Sequence, residues 1–405
     1  MAKQTNLIPL FDTLEYCHEQ QMPNNFPYPD DYRQASDFIY SYRGSEATFN
    51  VYRRELERLL QWCWHVALKS IKDLNRQDIE NYIYFCQRPY AEWIGTKTVD
   101  RFISSGGQRV INPEWRPFVS SVSKFQFQAG KRALPKDFLL SQSAVKAIFA
   151  VLSSFYNYLI QENYVTANPV SQMRQKSKFL RKQQGQAPIR RLSELQWSYV
   201  LETAEQLATS EPEKHERTLF IMNALFGMYL RISELASSAR WQPQMGHFFR
   251  DMDNNWWFKT VGKGNKERNI TVSDAMLAAL RRYRKSLELP ELPAPGEGTP
   301  LLLKNKGTGA ITSTRQIRMI VQDCFDQACA RMEKDNLKDD SEQLKAATVH
   351  WLRHTGISED VKHRPREHVR DDAGHGSSAI TDRYIDVELR ARHASGKKKA
   401  IKPEL

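Results

Sequence analysis

A short stretch near the C-terminal end holds side chains suited to chemistry on a phosphodiester. It contains His350, Arg353, the pair Gly374-His375 and, nine residues further on, Tyr384. A tyrosine can attack phosphorus, an arginine can hold two phosphate oxygens in a bidentate fork, and a histidine can move protons near neutral pH. Such chemistry needs more cationic partners, which must come from earlier in the chain.

Two upstream segments offer these partners. Arg231 follows a strongly apolar predicted helix, and Glu234 lies three residues later, where its carboxylate can hold the guanidinium. Lys263 begins a glycine-rich turn between two β-rich runs, 255–261 and 268–272, which predicts a hairpin. A lysine on a hairpin can reach into a site as a proton donor. Taken singly, the arginine is better explained as part of an ordinary surface ion pair and the lysine as a solvated turn residue.

Size and charge limit the classes of function. The 405 residues are enough for two or three domains, and 59 Lys and Arg against 47 Asp and Glu give a net charge of +12. This surplus favours a polyanionic partner, although acidic proteins and anionic membranes would also attract it. We find no run of about 18 apolar residues and no signal peptide, so we expect a soluble, cytoplasmic protein.

The cysteines and histidines show no metal-binding spacing. The five cysteines lack a C-x-x-C pair, and the ten histidines lack an H-E-x-x-H pair. We therefore expect reduced thiols, no structural metal and no cofactor.

The first part of the chain predicts an arm followed by a helical domain. Residues 1–44 contain several prolines among polar residues, which predicts an extended N-terminal arm. Apolar periodicity then predicts an all-helical domain over 45–172, with helices starting at Ser45 and Ser141. Another helix is capped at Asn75, and the helix from Ser141 should stop at Asn168-Pro169. A basic insertion at 94–136 interrupts this domain and is either solvated or in contact with DNA.

The second part consists of a linker, a larger domain and a tail. Residues 173–191 have basic but no acidic residues and predict an extended linker, which either serves only as a flexible tether or contacts a phosphate backbone. A second domain follows over 192–393, with a helix starting near Ser193, and residues 394–405 form a basic tail. The linker residues predicted to bind DNA are Arg174, Lys176, Lys178, Arg181, Lys182, Arg190 and Arg191.

Taken together, these segments resemble the tyrosine recombinase family, also called the phage integrase family. Four sequence boxes carry the resemblance, and they occur in the family's order. They are an arginine box at 230–235, a hairpin lysine box at 262–268, an H-x-x-R box at 350–355 and a final box from Gly374 to Tyr384. The resemblance covers about 45–393 without the insertion. It implies a mainly α fold with a small β-sheet, in which a helical core-binding domain precedes a mixed α/β catalytic domain.

The resemblance also implies roles for individual residues. Tyr384 would attack the scissile phosphate to give a 3′-phosphotyrosyl link and a free 5′-hydroxyl. Arg231 and Arg353 would neutralise the non-bridging oxygens, where charge grows in the transition state. Glu234 would orient nearby groups without reacting.

The remaining residues of the family's set would handle protons. Lys263 would protonate the departing 5′-oxygen, and His350 would act as general base toward Tyr384. His375 would hydrogen-bond the phosphate or assist proton transfer. The phosphotyrosyl link keeps the bond energy, so religation would need neither ATP nor a metal.

Family members act on double-stranded DNA, so the resemblance implies this partner and no membrane. It further implies a monomer or dimer off DNA and a tetramer on two DNA sites, with strand exchange through a Holliday junction. The segment 385–393 would then pack on a neighbouring protomer. Integration, transposition, resolution and inversion all remain open as biological roles, in the cytoplasm on the nucleoid.

Two other classes of function share part of this pattern. A type IB topoisomerase has similar catalytic residues but acts as a monomer that relaxes DNA. A non-catalytic DNA-binding protein could retain the fold and the charge, but binding alone needs neither a hairpin lysine nor a phenol. Strand exchange between two sites, as opposed to simple loss of supercoils, would separate a recombinase from a topoisomerase.

Overall fold

The computed structural model describes residues 7–17, 27–122, 126–127, 130–174, 179, 190–262, 264–304, 309–377, 381 and 397. The chain separates into two compact units, residues 1–185 and 186–405, and the division falls within the predicted linker. Helices dominate both units, and the described strands form small sheets of two or three strands each. The architecture is therefore mainly α with small β-sheets, as predicted.

Three helices of the first unit begin where the sequence predicts, at Ser45, Asn75 and Ser141. Asn75 accepts hydrogen bonds from the backbone N–H of Gln77 and Asp78, and Ser141 accepts one from Ala144. These caps satisfy backbone donors that the first turn of a helix leaves unpaired. The helices are α1 (Pro29–Ser41), α2 (Glu46–Trp62), α3 (Arg76–Gln87), α4 (Gln142–Gln161) and α5 (Ser171–Arg174). Helix α4 ends at Gln161, earlier than the predicted stop at Asn168-Pro169.

Helix α4 is long and apolar enough, by length and composition, to cross a membrane. Its apolar side chains, including Ile148, Leu152 and Phe155, are buried in the core of the first unit. A central core helix needs the same composition, so packing within the unit accounts for it.

The predicted extended arm at 1–44 is wrong for the described residues. Pro29 is the first residue of α1, where its fixed φ suits a helix and its missing N–H is not needed. Leu10 is buried, and its backbone N–H donates to Glu57 Oε1 at 2.7 Å. Arg109 forms a bidentate ion pair with Asp12. The prolines therefore start a helix, and the segment before it packs on the unit.

The first unit is also not all-helical. Within 94–136, strand β1 (Ile94–Gly95) pairs in parallel with β4 (Phe118–Val119), and β2 (Phe102–Ser105) pairs with the antiparallel β3 (Gln108–Ile111). The turn of the second pair contains two glycines with positive φ. Strands of two to four residues are too short to show a period-2 pattern in the sequence, which is why only a loss of helical periodicity was visible.

The second unit packs helices around one three-stranded antiparallel sheet of order β5-β6-β7. Its strands are β5 (Phe248–Arg250), β6 (Trp256–Val261) and β7 (Glu267–Thr271). Its helices are α6 (Glu194–Ser210), α7 (Pro212–Gly227), α8 (Ile232–Leu235), α9 (Asp274–Ser286), α10 (Thr314–Lys334), α11 (Lys338–Lys345), α12 (Val349–Asp360) and α13 (Arg366–Ala373). The predicted hairpin and the predicted cap at Ser193 are both present.

A small apolar cluster lies beneath the predicted site. Tyr229 follows α7, Ile357 belongs to α12, and Val369 and Ala373 belong to α13, and all four are buried together. This cluster holds the ends of these helices at fixed positions, which decides where the neighbouring polar residues can lie.

Candidate active site

The arginine turn between α7 and α8 holds Arg231 by its own neighbour. Tyr229 has a left-handed φ of 49°, which turns the chain sharply before Arg231. Glu234 accepts from the Arg231 backbone N–H at 2.8 Å and from Arg231 Nη1 at 2.9 Å. The carboxylate thus caps α8 and fixes the guanidinium at once. The contact between Arg231 and Glu234 is the one that their spacing predicts.

The β6–β7 hairpin lies directly against this turn. A Cβ placed on Gly262 would come within 3.2 Å of Glu234 Oε1 and 3.3 Å of Arg231 Nη1. Only glycine lets the hairpin backbone approach the ion pair so closely. Lys263 is the next residue, and it lies outside the described residues.

Helix α12 carries the H-x-x-R box. A Cβ on Gly356 would lie 2.1 Å from the Phe226 carbonyl oxygen, so α12 packs very closely on the end of α7. Arg353 is buried, with 2% of its surface exposed, and donates to the backbone carbonyls of Tyr229 and Ala373. Its guanidinium therefore connects the arginine turn with the end of α13. His350 is one turn away at the surface.

His375 follows a left-handed helix end. Helix α13 stops at Gly374, whose φ is 63°, and the backbone N–H of His375 bonds back to the Arg370 carbonyl at 3.1 Å. Glycine is favoured at such a position because it adopts positive φ without strain. The ring is oriented by a 2.9 Å hydrogen bond between Nδ1 and Thr381 Oγ1.

Sequence reasoning missed Arg268 as a member of this cluster. Its Nη1 and Nη2 each lie 2.8 Å from an oxygen of Glu234, and its Nε donates to the Asp372 carbonyl at 2.9 Å. One signal could have found it. Arg268 and the buried Ile270 are two residues apart on β7, so they share the inward face of the strand.

The arginines lower the pKa of both histidines. Burial and the charges of Arg353, Arg231 and Arg268 lower the pKa of His375 to about 4. His350 is exposed to solvent on one side, and the partial burial of its ring, together with the charges of Arg353 and Arg231, lowers its pKa. Both imidazoles are therefore neutral at neutral pH.

Glu234 is the carboxylate shared by two of these arginines. Burial alone would raise its pKa, but the hydrogen bonds and charges of Arg268 and Arg231 outweigh this effect and lower it. Arg353, in contrast, donates to backbone carbonyls. The cluster therefore carries an excess of positive charge and suits an anionic ligand.

The structure brings together Arg231, His350, Arg353 and His375, which the sequence predicted as site residues. Lys263 and Tyr384 lie outside the described residues, as do the linker residues Lys176, Lys178, Arg181 and Lys182 and the side chain of Arg174. Arg190 is exposed and Arg191 is half-buried. Within the described ranges, no group of three or more His, Cys, Asp or Glu side chains is placed to hold a metal ion.

Known proteins resemble this chain in sequence and in fold. No family model matches it. Tyrosine recombinase XerC of Chlorobaculum parvum is 25% identical over 250 residues, which are 59% of this chain and 67% of the relative. XerC of Thermodesulfovibrio yellowstonii is 26% identical over 258 residues, 62% of this chain and 73% of the relative.

A solved structure shares the fold. XerH site-specific recombinase, bound to palindromic difH substrate in a post-cleavage complex, aligns with a TM-score of 0.55 and 13% identity over 95% of this chain and 93% of that one. In sequence the chain is similar to curated tyrosine recombinases, and its fold is that of a solved site-specific recombinase.

Proposed function

We propose that the chain is a site-specific DNA recombinase that works through a 3′-phosphotyrosyl intermediate. The observation that carries the proposal is the meeting of Arg231, Arg353, His350 and His375, which come from three separate stretches of sequence. Holding the two guanidinium charges of Arg231 and Arg353 close together costs free energy unless an anion compensates them. A DNA phosphate at this site would supply that anion.

In the proposed first step, Tyr384 is the nucleophile and His350 is the general base. The tyrosine hydroxyl gives its proton to His350 as its oxygen bonds to the scissile phosphorus. The lowered pKa of His350 supports this role, because a neutral imidazole can accept a proton. The bond from phosphorus to the 5′-oxygen breaks, and the DNA 3′-phosphate becomes joined to Tyr384.

The remaining groups stabilise charge and supply a proton. Arg231 and Arg353 neutralise the non-bridging oxygens, where negative charge increases in the transition state. Lys263 protonates the departing 5′-oxygen and leaves a free 5′-hydroxyl. The close approach of Gly262 to Arg231 supports this role, since Lys263 is the next residue. His375 hydrogen-bonds the phosphate or assists proton transfer.

Recombination requires two duplexes and several protomers. In our proposal the enzyme is a monomer or dimer off DNA and a tetramer on two sites, and it exchanges strands through a Holliday junction in the cytoplasm. A role in a mobile element fits this chemistry. The basic linker, including the exposed Arg190, would follow a phosphate backbone, and the binding would weaken with added salt.

The direct test detects the covalent intermediate. A supercoiled plasmid carrying the DNA that flanks this gene is incubated with the protein and denatured with detergent. We expect a protein-linked 3′-phosphate with the parent chain and none with Tyr384→Phe. Tyr199→Phe is the matched control, because it removes another phenol of the same unit, one that bonds to Asp335.

The same assay distinguishes a recombinase from a type IB topoisomerase and from a protein that only binds DNA. Loss of supercoils without exchange between two sites would favour a type IB topoisomerase. A plasmid shift without an adduct would leave either a missing target site or a protein that only binds. A nicked, randomised duplex library distinguishes a missing target site from a protein that only binds DNA. If no member of the library gave an adduct, the proposal that the chain is an enzyme would be refuted.

A further inference from the structure

Arg268 lies where three segments of the second unit meet, although the mechanism above gives it no role. Both of its terminal nitrogens donate to Glu234 at 2.8 Å. Its Nε donates to the backbone carbonyl of Asp372, two residues before Gly374. One guanidinium therefore ties strand β7 to the arginine turn and to the end of α13.

Two glycines make room for this side chain. A Cβ on Gly262 would lie 2.9 Å from Arg268 Nη1, and a Cβ on Gly374 would lie 2.9 Å from Arg268 Cδ. Real Cβ atoms do not approach neighbours so closely, so neither position accepts a larger residue without displacing Arg268. The backbone thus forms a socket for Arg268 from both sides.

The hydrogen bonds of Arg268 differ from those of Arg231. All three nitrogens of Arg268 bond to protein acceptors, and its side chain is 11% exposed. Arg231 is 28% exposed, and its Nη2 makes only a 3.3 Å contact with the Gly374 carbonyl. Arg231 is therefore better placed to turn toward a phosphate, and Arg268 to hold the protein.

Glu234 can orient Arg231 only if the carboxylate is itself held in one orientation. An unrestrained glutamate samples several rotamers, whereas a bidentate arginine fixes the plane of the carboxylate. Arg268 supplies that restraint. Through the Asp372 carbonyl it also holds the chain leading into Gly374 and His375.

We propose that Arg268 is a positioning residue for strand cleavage, one that fixes Glu234 and the end of α13 so that Arg231 and His375 contact the same phosphate. This inference rests on the proposed recombinase function. It assigns Arg268 no contact with DNA and no part in proton transfer.

The test compares Arg268→Met and Arg268→Lys with Arg284→Met in the full chain. Arg284 is a buried arginine that forms a bidentate pair with Glu297 elsewhere in the same unit. In single-turnover cleavage, we expect Arg268→Met to form the adduct about 100-fold more slowly, because small misplacements of reacting groups have effects of this size. The affinity of Arg268→Met for DNA should equal that of the parent.

Arg268→Lys keeps the positive charge but not the bidentate guanidinium, so it should recover only part of the cleavage rate. Arg284→Met keeps the parent rate.

A neutral substrate distinguishes positioning from a general structural defect. A methylphosphonate at the scissile position lacks one negative oxygen, so the stabilisation by Arg231 contributes less. If Arg268 acts through Arg231, the rate of adduct formation by Arg268→Met should fall less, relative to the parent, on the methylphosphonate than on the normal phosphate, and the same should hold for Arg231→Ala. The proposal would be overturned if Arg268→Met lost the same factor in rate on both substrates, or if it cleaved normal DNA at the parent rate.

A measurement without DNA tests the placement of Arg268 even if the proposed recombinase function is wrong. NMR titration should show a higher pKa for His375 in Arg268→Met and an unchanged one in Arg284→Met, because Arg268 is one of the charges that lower it. An unchanged pKa of His375 in Arg268→Met would contradict the placement of Arg268 beside it. If the parent forms no adduct with any DNA, the recombinase function fails separately. If Arg268→Met does not fold, Arg268→Lys carries the same comparisons.

Discussion

Two arginine–glutamate pairs of the second unit have the same local geometry and different surroundings. Arg268 donates through both terminal nitrogens to Glu234, and Arg284 does the same to Glu297 at 2.8 and 3.1 Å. In each pair the arginine Nε also donates to a backbone carbonyl, that of Asp372 or of Pro290. The difference lies in what else each glutamate binds.

Glu297 closes a local loop. The Glu297 carboxylate also accepts from the backbone N–H of Ala294 and bonds to the side chain of Thr299, and Arg284 also donates to the Leu292 carbonyl. The side-chain partners of this pair therefore all lie close to it in sequence. Glu234 instead accepts from a second arginine, Arg231, and Arg268 reaches a carbonyl 104 residues away. The same ion pair therefore clamps a loop in one place and assembles a site in the other. Only the long-range contacts tell the two apart.

The largest expected difference is between Glu234→Gln and Glu297→Gln. The first removes the negative charge between Arg231 and Arg268 and leaves two cations close together. We expect a loss of about 3 kcal/mol in the free energy of unfolding and a roughly 100-fold slower adduct formation. The second removes the carboxylate partner of Arg284, which is 1% exposed, so it should also lower stability, but it should leave the rate unchanged. Urea unfolding and single-turnover cleavage measure both. Equal rates in the two variants would contradict the comparison.

A smaller effect is expected from glycine substitutions beside the two pairs. Gly262→Ala would bring a methyl group to 2.9 Å from Arg268 Nη1, so Arg268 or the hairpin must shift. We expect cleavage to slow about 10-fold with unchanged DNA affinity, because the supporting contacts of the site loosen. Gly298 follows Glu297 directly, and a Cβ there meets nothing within 4 Å. Gly298→Ala is therefore the control. If both variants cleaved at the parent rate, the close packing of Gly262 against Arg268 would not matter for cleavage.

The smallest effect concerns pH and stability. In the folded chain the pKa of His375 is lowered to about 4, against about 6.5 in an unfolded chain. Between these values the unfolded chain binds a proton that the folded chain does not, so stability falls as the pH drops from about 6.5 toward 4. His375→Gln should reduce this loss.

The matched control for that measurement is His368→Gln, which changes an exposed histidine on α13. Urea midpoints at about pH 7 and pH 5 should differ less in His375→Gln than in the parent, and His368→Gln should follow the parent. An identical difference in all three proteins would show that the pKa of His375 is not lowered in the folded chain.

Much of the fold could be predicted from local signals. The caps at Asn75, Ser141 and Ser193 act within one turn of helix, so their effect can be predicted from adjacent residues. The β6–β7 hairpin depends on a turn whose glycine and asparagine adopt positive φ. The contact between Arg231 and Glu234 is likewise local.

The wrong predictions arose where distant residues decided the outcome. Residues 7–17 were predicted as part of an extended arm, yet Leu10 and Asp12 bind Glu57 and Arg109 across the first unit. The strands within 94–136 depend on pairing between short segments with little pattern of their own. Long-range partners override local composition in both cases.

For this protein, the sequence by itself determined which groups are available for chemistry and in what order they occur. It also carries the resemblance to the tyrosine recombinase family, because the four boxes are local strings of residues. Only the tertiary structure decided that Arg268, with no local partner, joins the site while the similar Arg284 does not. The reason is physical: which of the two arginines reaches Glu234 depends on how β7, α8 and α13 pack together, and packing is a property of the whole unit.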